Sequence, residues 1–393
     1  MASAMLFFRP LPWEYAVRNL FRRPLRTLLT VFALTTVMLV VLIVLGFTRG
    51  LERTLLVSGD RQTALVFSLG MGENLEYSSI PLGTGDIVAA NLNGILERYG
   101  KQYVSPELYL GTEMTVAGAD QPSFGLVRGV TPGALRVRRQ LQLASGDWPG
   151  PGEVLVGRLV AAKLGVPAAQ LEVGGRLALE GREWRISGLF SSAGSAFESE
   201  VWCRLDDLQE AMKRQDLSLV ALTLAPGSDF ADLDLFCKER LDLELQALPE
   251  VEYYAALQRD YRPVMMLARL VVALVCGAGL LVGLNTMYGS ALGRISELAT
   301  LQTIGFVRGA ILLSLIQEAV LLAAAASLLA TVLALVFFNG AAMRFTMGAF
   351  TLSIDGVAVL VGCGMGVLVG FIGALPAAAR ALRGSIVTGL RTT

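Results

Sequence analysis

Four long stretches without a charged side chain set the plan of this chain. The first lies between Arg26 and Arg49, where TLLTVFALTTVMLVVLIVLGFT fills the gap. The second separates Arg269 from Arg294; the third runs from Ala319 to Met343 and the fourth from Gly356 to Ala379. Each exceeds the roughly 20 residues that a helix needs to cross about 30 Å of hydrocarbon. They predict four transmembrane helices, at 27–48, 264–290, 309–343 and 356–379. The first reads as a retained anchor: its apolar core is too long for a signal peptide, and no small-x-small cleavage site follows in VLGFTRGLERT.

Upstream, in residues 1–26, Trp13, Ala16, Val17, Leu20 and Phe21 share one helical face while Arg18, Arg22 and Arg23 lie elsewhere. This predicts an amphipathic helix on the inner membrane surface, with a bend at Pro24 before the first span. Between the first and second spans, residues 49–263, the pattern becomes mixed and predicts an α+β domain. TGDIVAANLNGILERYG puts Val88, Leu92, Ile95 and Leu96 on one helical face that ends before Gly100. TEMTVAGADQPSFGLVRGV reads as two strands, GEVLVGRLVAAKLGV as strand then helix, and GGRLALEGREWRISGLF as a hairpin turning at Glu180-Gly181. RLDDLQEAMKR has acids first and bases last, as suits a helix dipole. Phe230, Leu233, Cys237, Leu241 and Leu245 form one helical stripe. The Gly/Pro cluster LASGDWPGPGE suggests a subdivision into 49–144 plus 217–263 and 145–216.

Composition agrees with a membrane protein: of 393 residues, 54% are hydrophobic and only 17% charged, where soluble domains carry about 25% charged residues. A net charge of zero hides an asymmetry. Residues 1–26 hold five Arg and one acid, and the tail 380–393 adds Arg380, Arg383 and Arg391 with no acid. Residues 49–263 hold 29 acids against 21 bases. The positive-inside rule then puts both termini in the cytoplasm, residues 49–263 outside, 291–308 inside and 344–355 in a short outer loop, with Arg344 the minor dissent. Cys276 and Cys363 fall in spans as small packing residues. Cys203 and Cys237 fall in the outer domain, where sequence leaves a disulfide between them open.

Enzyme chemistry is sparse. The chain has no histidine, which removes His-based triads and His-containing zinc sites. It has no CxxC and no Walker A loop, since its one Gly-Lys, at 100–101, precedes Gln102. No catalytic, cofactor or metal residue is assigned, and nothing points to nucleic acid. The acid pairs Asp206-Asp207 and Glu198/Glu200 read as a solvated helix start and an exposed strand edge. The spans carry small-residue repeats instead: Gly362, Gly366 and Gly370 in the fourth and Gly279 and Gly283 in the second, which read as close helix packing. Glu318 is the one acid within the third span, about three turns in; it lacks ionisable partners at depth for a proton relay and reads as structural or interfacial.

This order of parts resembles the FtsX-like and MacB-type permeases of ABC systems, the mechanotransmission type, without a fused ATPase domain. VRNLFRRPLRTLLTVFAL, RISELATLQTIGFVRGAILLSLIQEAVLLA and GALPAAARALRGSIVTGLR carry the likeness around the spans; VRGVTPG and GEVLVGRLVAAKLGV with VGGRLALEGREWRISGLF carry it in the outer domain. The resemblance implies that 291–308 is a coupling helix docking in a groove of a separate ATPase. Ile295, Leu298, Ala299, Leu301 and Gln302 would then form the apolar contact face. Arg294, Glu297 and Arg308 would be the charged rim, and Gly305 the helix stop. The family's usual Glu-Ile-Gly is here Glu297-Leu298-Ala299.

The resemblance further implies ATP and Mg²⁺ in the partner ATPase rather than in this chain. It implies a second copy or a similar permease across a two-fold axis, membrane lipids around the spans, and scope for a periplasmic adaptor and an outer-membrane channel. Its function would be an inner-membrane permease subunit coupling ATP hydrolysis to periplasmic movement, in MacB-like efflux or lipoprotein release. A membrane-anchored receptor or sensor, or an FtsX-like regulator of cell-wall hydrolases, is the alternative.

Overall fold

The stop signals and apolar runs of the sequence become twelve helices and a large sheet among the residues that the computed structural model describes, 13–22, 24–72, 74–118, 121–346 and 348–381. The readings for Arg9, Arg23, Arg383 and Arg391 lie outside them, as do the side chains of Trp13 and Ala16. The chain begins with α1 (Trp13–Arg22), α2 (Pro24–Ser58), β1 (Thr63–Ser68), β2 (Ile80–Pro81), α3 (Thr84–Asn91), β3 (Glu97–Arg98), β4 (Lys101–Gln102), β5 (Val104–Val116) and β6 (Ser123–Val130). It continues with α4 (Ala134–Val137), β7 (Gln142–Gly146), β8 (Glu153–Gly157), α5 (Val160–Leu164), β9 (Arg176–Leu179), β10 (Arg182–Ser191), β11 (Glu200–Arg204) and α6 (Leu205–Met212). Next come β12 (Asp216–Leu217), β13 (Leu219–Thr223), α7 (Phe230–Glu239), β14 (Leu245–Pro249) and α8 (Glu250–Asp260). The last are α9 (Arg262–Leu292), α10 (Ile295–Thr303), α11 (Arg308–Phe337), β15 (Ala342–Phe345), β16 (Gly348–Thr351) and α12 (Gly356–Ala381).

The chain divides into two units. The helical unit comprises Met1–Arg49, Pro263–Ala341 and Leu352–Thr393. Among the described residues, four helices are long and apolar enough to cross a membrane: Pro24–Ser58, Arg262–Leu292, Arg308–Phe337 and Gly356–Pro376. Met38, Val41 and Leu42 of α2, Ala330 and Ala334 of α11, and Ala358 of α12 build one of its cores. Two ends differ by more than three residues from the sequence reading. The third helix stops at Phe337, not Met343, because Asn339-Gly340 turns the chain: Gly340 has φ +78° and donates its N–H to Leu352 O at 2.9 Å. Helix α2 continues to Ser58 because RGLERTLLVS keeps a helical pattern beyond the apolar run.

The α+β unit is Gly50–Arg262 together with Ala342–Thr351. The expected loop at 344–355 is therefore in part a β-hairpin, β15 against β16, that belongs to this unit. Ten strands form one sheet in the order β14-β1-β13-β5-β6-β11-β8-β10-β7, with β9 pairing both β10 and β5. Strands β5, β6, β11, β8, β10 and β9 thus close a ring, in which β6–β11 and β8–β10 are parallel and the other pairs antiparallel. The long β5 makes the closure, pairing β13 near its start and β9 at Met114–Val116. One sheet runs through both subdivisions suggested by the Gly/Pro cluster.

Apolar periodicity found core positions more reliably than elements. Val88, Leu92, Ile95 and Leu96 are all buried, yet α3 ends at Asn91 and the chain turns at Gly94, φ +107°. In the second stripe, α7 ends at Glu239, Leu241 is exposed, and Leu245 starts β14. The Glu180-Gly181 hairpin is as the sequence predicts, both residues having positive φ as a tight hairpin turn requires. Cys203 and Cys237 are buried free thiols. Burial raises both, Cys237 to about 12.

Candidate functional site

In the helical unit, the segment quoted as a coupling element is a short helix, α10, fixed at both ends. Arg294, its N-cap residue, is buried and reaches two carboxylates: Nη1 donates to Glu318 Oε2 at 3.0 Å and Nε to Glu297 Oε2 at 3.2 Å. Glu318 is itself buried on α11. The structural role expected for Glu318 thus acquires a partner that sequence reasoning missed, because the two residues lie 24 apart on different helices. The C-terminal end carries a full Schellman closure: Gly305, φ +105°, donates to Gln302 O and Phe306 N–H to Leu301 O, both at 3.1 Å. Phe306 and Leu301 join the same apolar cluster, which fastens the cap.

The apolar face of α10 needs correction. Leu298 and Ala299 are 3% and 5% exposed, and Leu298 packs with Ile311 and Leu315 of α11. Leu298 is covered by the chain's own next helix and Ala299 is buried within the chain, so their stripe is not an open contact face. Arg294 is likewise buried and paired rather than at a rim. Ile295 and Leu301 are half-buried. What α10 and its exit leave exposed is Glu297, Thr300, Thr303, Ile304, Gly305 and Arg308, with Ile304 69% accessible. Glu297 also lies 3.9 Å from Arg22 of α1.

The small-residue faces pack closely. A Cβ on Gly362 would come within 2.5 Å of Leu42, one on Gly370 within 2.5 Å of Ala323, and one on Gly366 would collide with Ser327 Oγ and Met38 Sδ. Gly279 would meet Val37 at 2.7 Å. Gly283 is buried, with open space at its own Cβ position, and lies beside Gly373.

The α+β unit holds a second constellation, which sequence reasoning read as solvated acids. Glu198 and Glu200 are 1% and 2% exposed. Glu198 accepts from Ser192 and Gly194 N–H at 2.9 and 3.0 Å and from Arg158. Glu200 takes a two-pronged bond from Arg128, at 2.7 and 2.8 Å, and the Trp202 indole N–H at 2.8 Å. Arg128 also donates to Glu107 at 2.6 Å, and Arg138 bonds Glu250 and lies 3.5 Å from Glu107. Burial alone would raise the Glu107 carboxyl, but Arg138 and Arg128 beside it hold it below the usual 4.5. The alternation of β5, β6 and β11 points these residues to one face, a signal that Glu-x-Glu at a strand start carries only weakly. Asp206, by contrast, is exposed at the start of α6.

This network borders a cavity of about 370 Å³ within the same unit. Its walls are leucines from α2, β1 and β13, tyrosines of β5 and α8, and the β15–β16 hairpin. Among the described residues no set of three or more His, Cys, Asp or Glu is placed to hold a metal.

Residues 27–234 match the family model for the MacB-like periplasmic core domain. Among solved structures, the chain is similar to the periplasmic region of MacB from Actinobacillus actinomycetemcomitans, at 10% identity and a TM-score of 0.39, over 51% of this chain and 94% of that one. It is also similar to the extracellular domain of the noncanonic ABC-type transporter YknZ from Gram-positive bacteria, at 14% identity and a TM-score of 0.35, over 47% of this chain and 99% of that one. No curated protein matches the chain.

Proposed function

We propose, from the premise that this chain belongs to the MacB-like periplasmic core domain family, that α10 is where a separate ATPase subunit delivers its stroke. The chain is then the permease component of an ABC transporter, and ATP and Mg²⁺ are held by the partner. A second copy or a similar permease completes the assembly about a two-fold axis. ATP-driven closure of the partner drives export of a periplasmic or outer-leaflet substrate, with the α+β domain outside and both termini in the cytoplasm.

One observation carries this reading. Between two membrane-length helices the chain holds a nine-residue helix rather than a loose loop, pinned at one end by Arg294 to Glu318 and closed at the other by Gly305. A displacement applied to such a helix passes to α11 instead of being absorbed. The docking face is the exposed one: Glu297, Thr300 and Ile304, with Arg308 beyond. Burying Ile304 in a partner groove contributes about 1.5–3 kcal/mol.

The test is purification with the ATPase. Ile304→Asp and Thr300→Arg should leave the chain in the membrane at normal level and strip the ATPase from it. Asp206→Lys, on the exposed start of α6, should retain it. Full retention of a coupled ATPase by Ile304→Asp and Thr300→Arg together would move the energy input elsewhere.

A further inference from the structure

We propose that the cavity of the α+β unit is a binding site for a lipophilic cation, a quaternary ammonium or protonated amine on an aryl or alkyl body. The proposal stands apart from the reading of α10 and does not depend on it. At about 370 Å³ the cavity falls within the range of small-molecule pockets, about 300–1,000 Å³. Apolar walls select a hydrocarbon body, and the charge around them selects its sign.

Four carboxylates border or join the site, Glu76, Glu107, Glu200 and Glu250. Against them stand Arg128 and Arg138, with Lys163 acting on Glu76 from nearby. Both guanidinium groups already face carboxylates: Arg128 those of Glu200 and Glu107, Arg138 those of Glu250 and Glu107. An anionic ligand would compete with those carboxylates, the one donor they leave unbonded being the buried Nε of Arg138. A cation meets a carboxylate excess instead. Burial, and then the charge of Glu200, raise the Glu76 carboxyl above 4.5, while Lys163 opposes them.

Aromatic rings supply the second half of the recognition. Tyr109, Tyr253, Tyr254 and Tyr261 line the cavity, and Tyr77, 74% exposed, stands on its wall. The unit already uses ring faces to hold buried cations: Arg128 lies 4.2 Å from the Tyr109 ring centroid and Arg138 4.7 Å from that of Phe197. A cation on an aromatic face, freed of water and opposite a carboxylate, is held by both. A neutral body of the same shape gains only the burial.

The probe is radiolabelled phenyltrimethylammonium, dialysed to equilibrium against the full-length chain in nanodiscs of an uncharged galactolipid, with empty discs as blank. We expect saturable binding of one cation per chain, with tert-butylbenzene, its uncharged isostere, competing about tenfold more weakly. Glu76→Gln should weaken binding about tenfold and Tyr77→Ala should weaken it measurably, while Glu113→Gln, an exposed carboxylate on β5, leaves it unchanged. In phosphatidylcholine discs, unaltered binding identifies a free small molecule as the ligand, and competition by the lipid identifies a choline headgroup. The comparison of cation with isostere is made on the unaltered chain, so it stands even where a variant fails to fold. No binding above empty discs, or equal binding of cation and isostere, would overturn the proposal.

Discussion

Removing the Glu318 carboxylate should loosen α10 while leaving the α+β unit intact. Arg294 and Glu318 are each 8% exposed at the side chain and meet at 3.0 Å. Deleting one partner of such a pair leaves a buried charge short of its counter-charge, at a cost of about 3 kcal/mol. Because α10 rests on α11 through this pair and the Leu298 cluster, that cost falls on the docked position of α10. At about 1.4 kcal/mol per tenfold, the opening equilibrium of α10 rises about a hundredfold.

Hydrogen exchange of the full chain in nanodiscs reads this directly. The amides of 298–304 should lose about two orders of magnitude of protection in Glu318→Ala and in Arg294→Ala, and those of β5 and β6 should not change. The double substitution Arg294→Met with Glu318→Leu removes both charges together. It should recover most of the protection, since an apolar replacement of a buried pair is often close to neutral. Unchanged exchange in both single variants, or a double variant as open as the singles together, would refute the reasoning.

Three further outcomes follow from other contacts in the chain. Gly366→Ala should destabilise the helical unit by about 1–3 kcal/mol through overpacking against Ser327 and Met38, read as a lower thermal midpoint, while Gly364→Ala, with open space around it, should leave the midpoint unchanged. Glu107 is held below the usual 4.5, so its contribution to stability is complete above that pH and is lost as pH falls through its lowered value; Glu107→Gln should flatten the acid limb of α+β-unit unfolding, and an unchanged limb would contradict the pairing. Cys203 and Cys237, buried free thiols raised by burial, should resist iodoacetamide in the folded chain under non-reducing conditions and both react once it is unfolded.

The sequence disclosed most where one physical signal dominates. Uncharged runs longer than a bilayer is thick identified four helices, and Glu180-Gly181 identified a hairpin, because hydrocarbon and positive φ each admit few solutions. It disclosed less where the answer depends on which neighbour covers a face. The stripe containing Leu298 and Ala299 reads the same whether a partner or α11 covers it, and only the fold shows Ile311 and Leu315 beneath Leu298. Glu200 read as solvated because its partner Arg128, which also bonds Glu107, comes from a strand far along the chain. Glu318 was conspicuous as an acid in an apolar run, yet its counter-charge sits across a helix boundary, at Arg294. Gly305 was legible because a helix stop is local.

The most direct test of the α10 reading is site-specific photo-crosslinking in native membranes. A photoreactive residue is placed at Ile304, on the exposed side of the α10 exit, and in separate chains at Leu298, which is buried, and at Tyr99, exposed in the α+β unit. A crosslink to the nucleotide-binding subunit is expected from position 304, none to it from 298 or 99, and a yield at 304 that changes when ATP binding closes the partner. An ATPase that co-purifies with the chain and crosslinks to it elsewhere, but never from 304, would contradict the α10 reading.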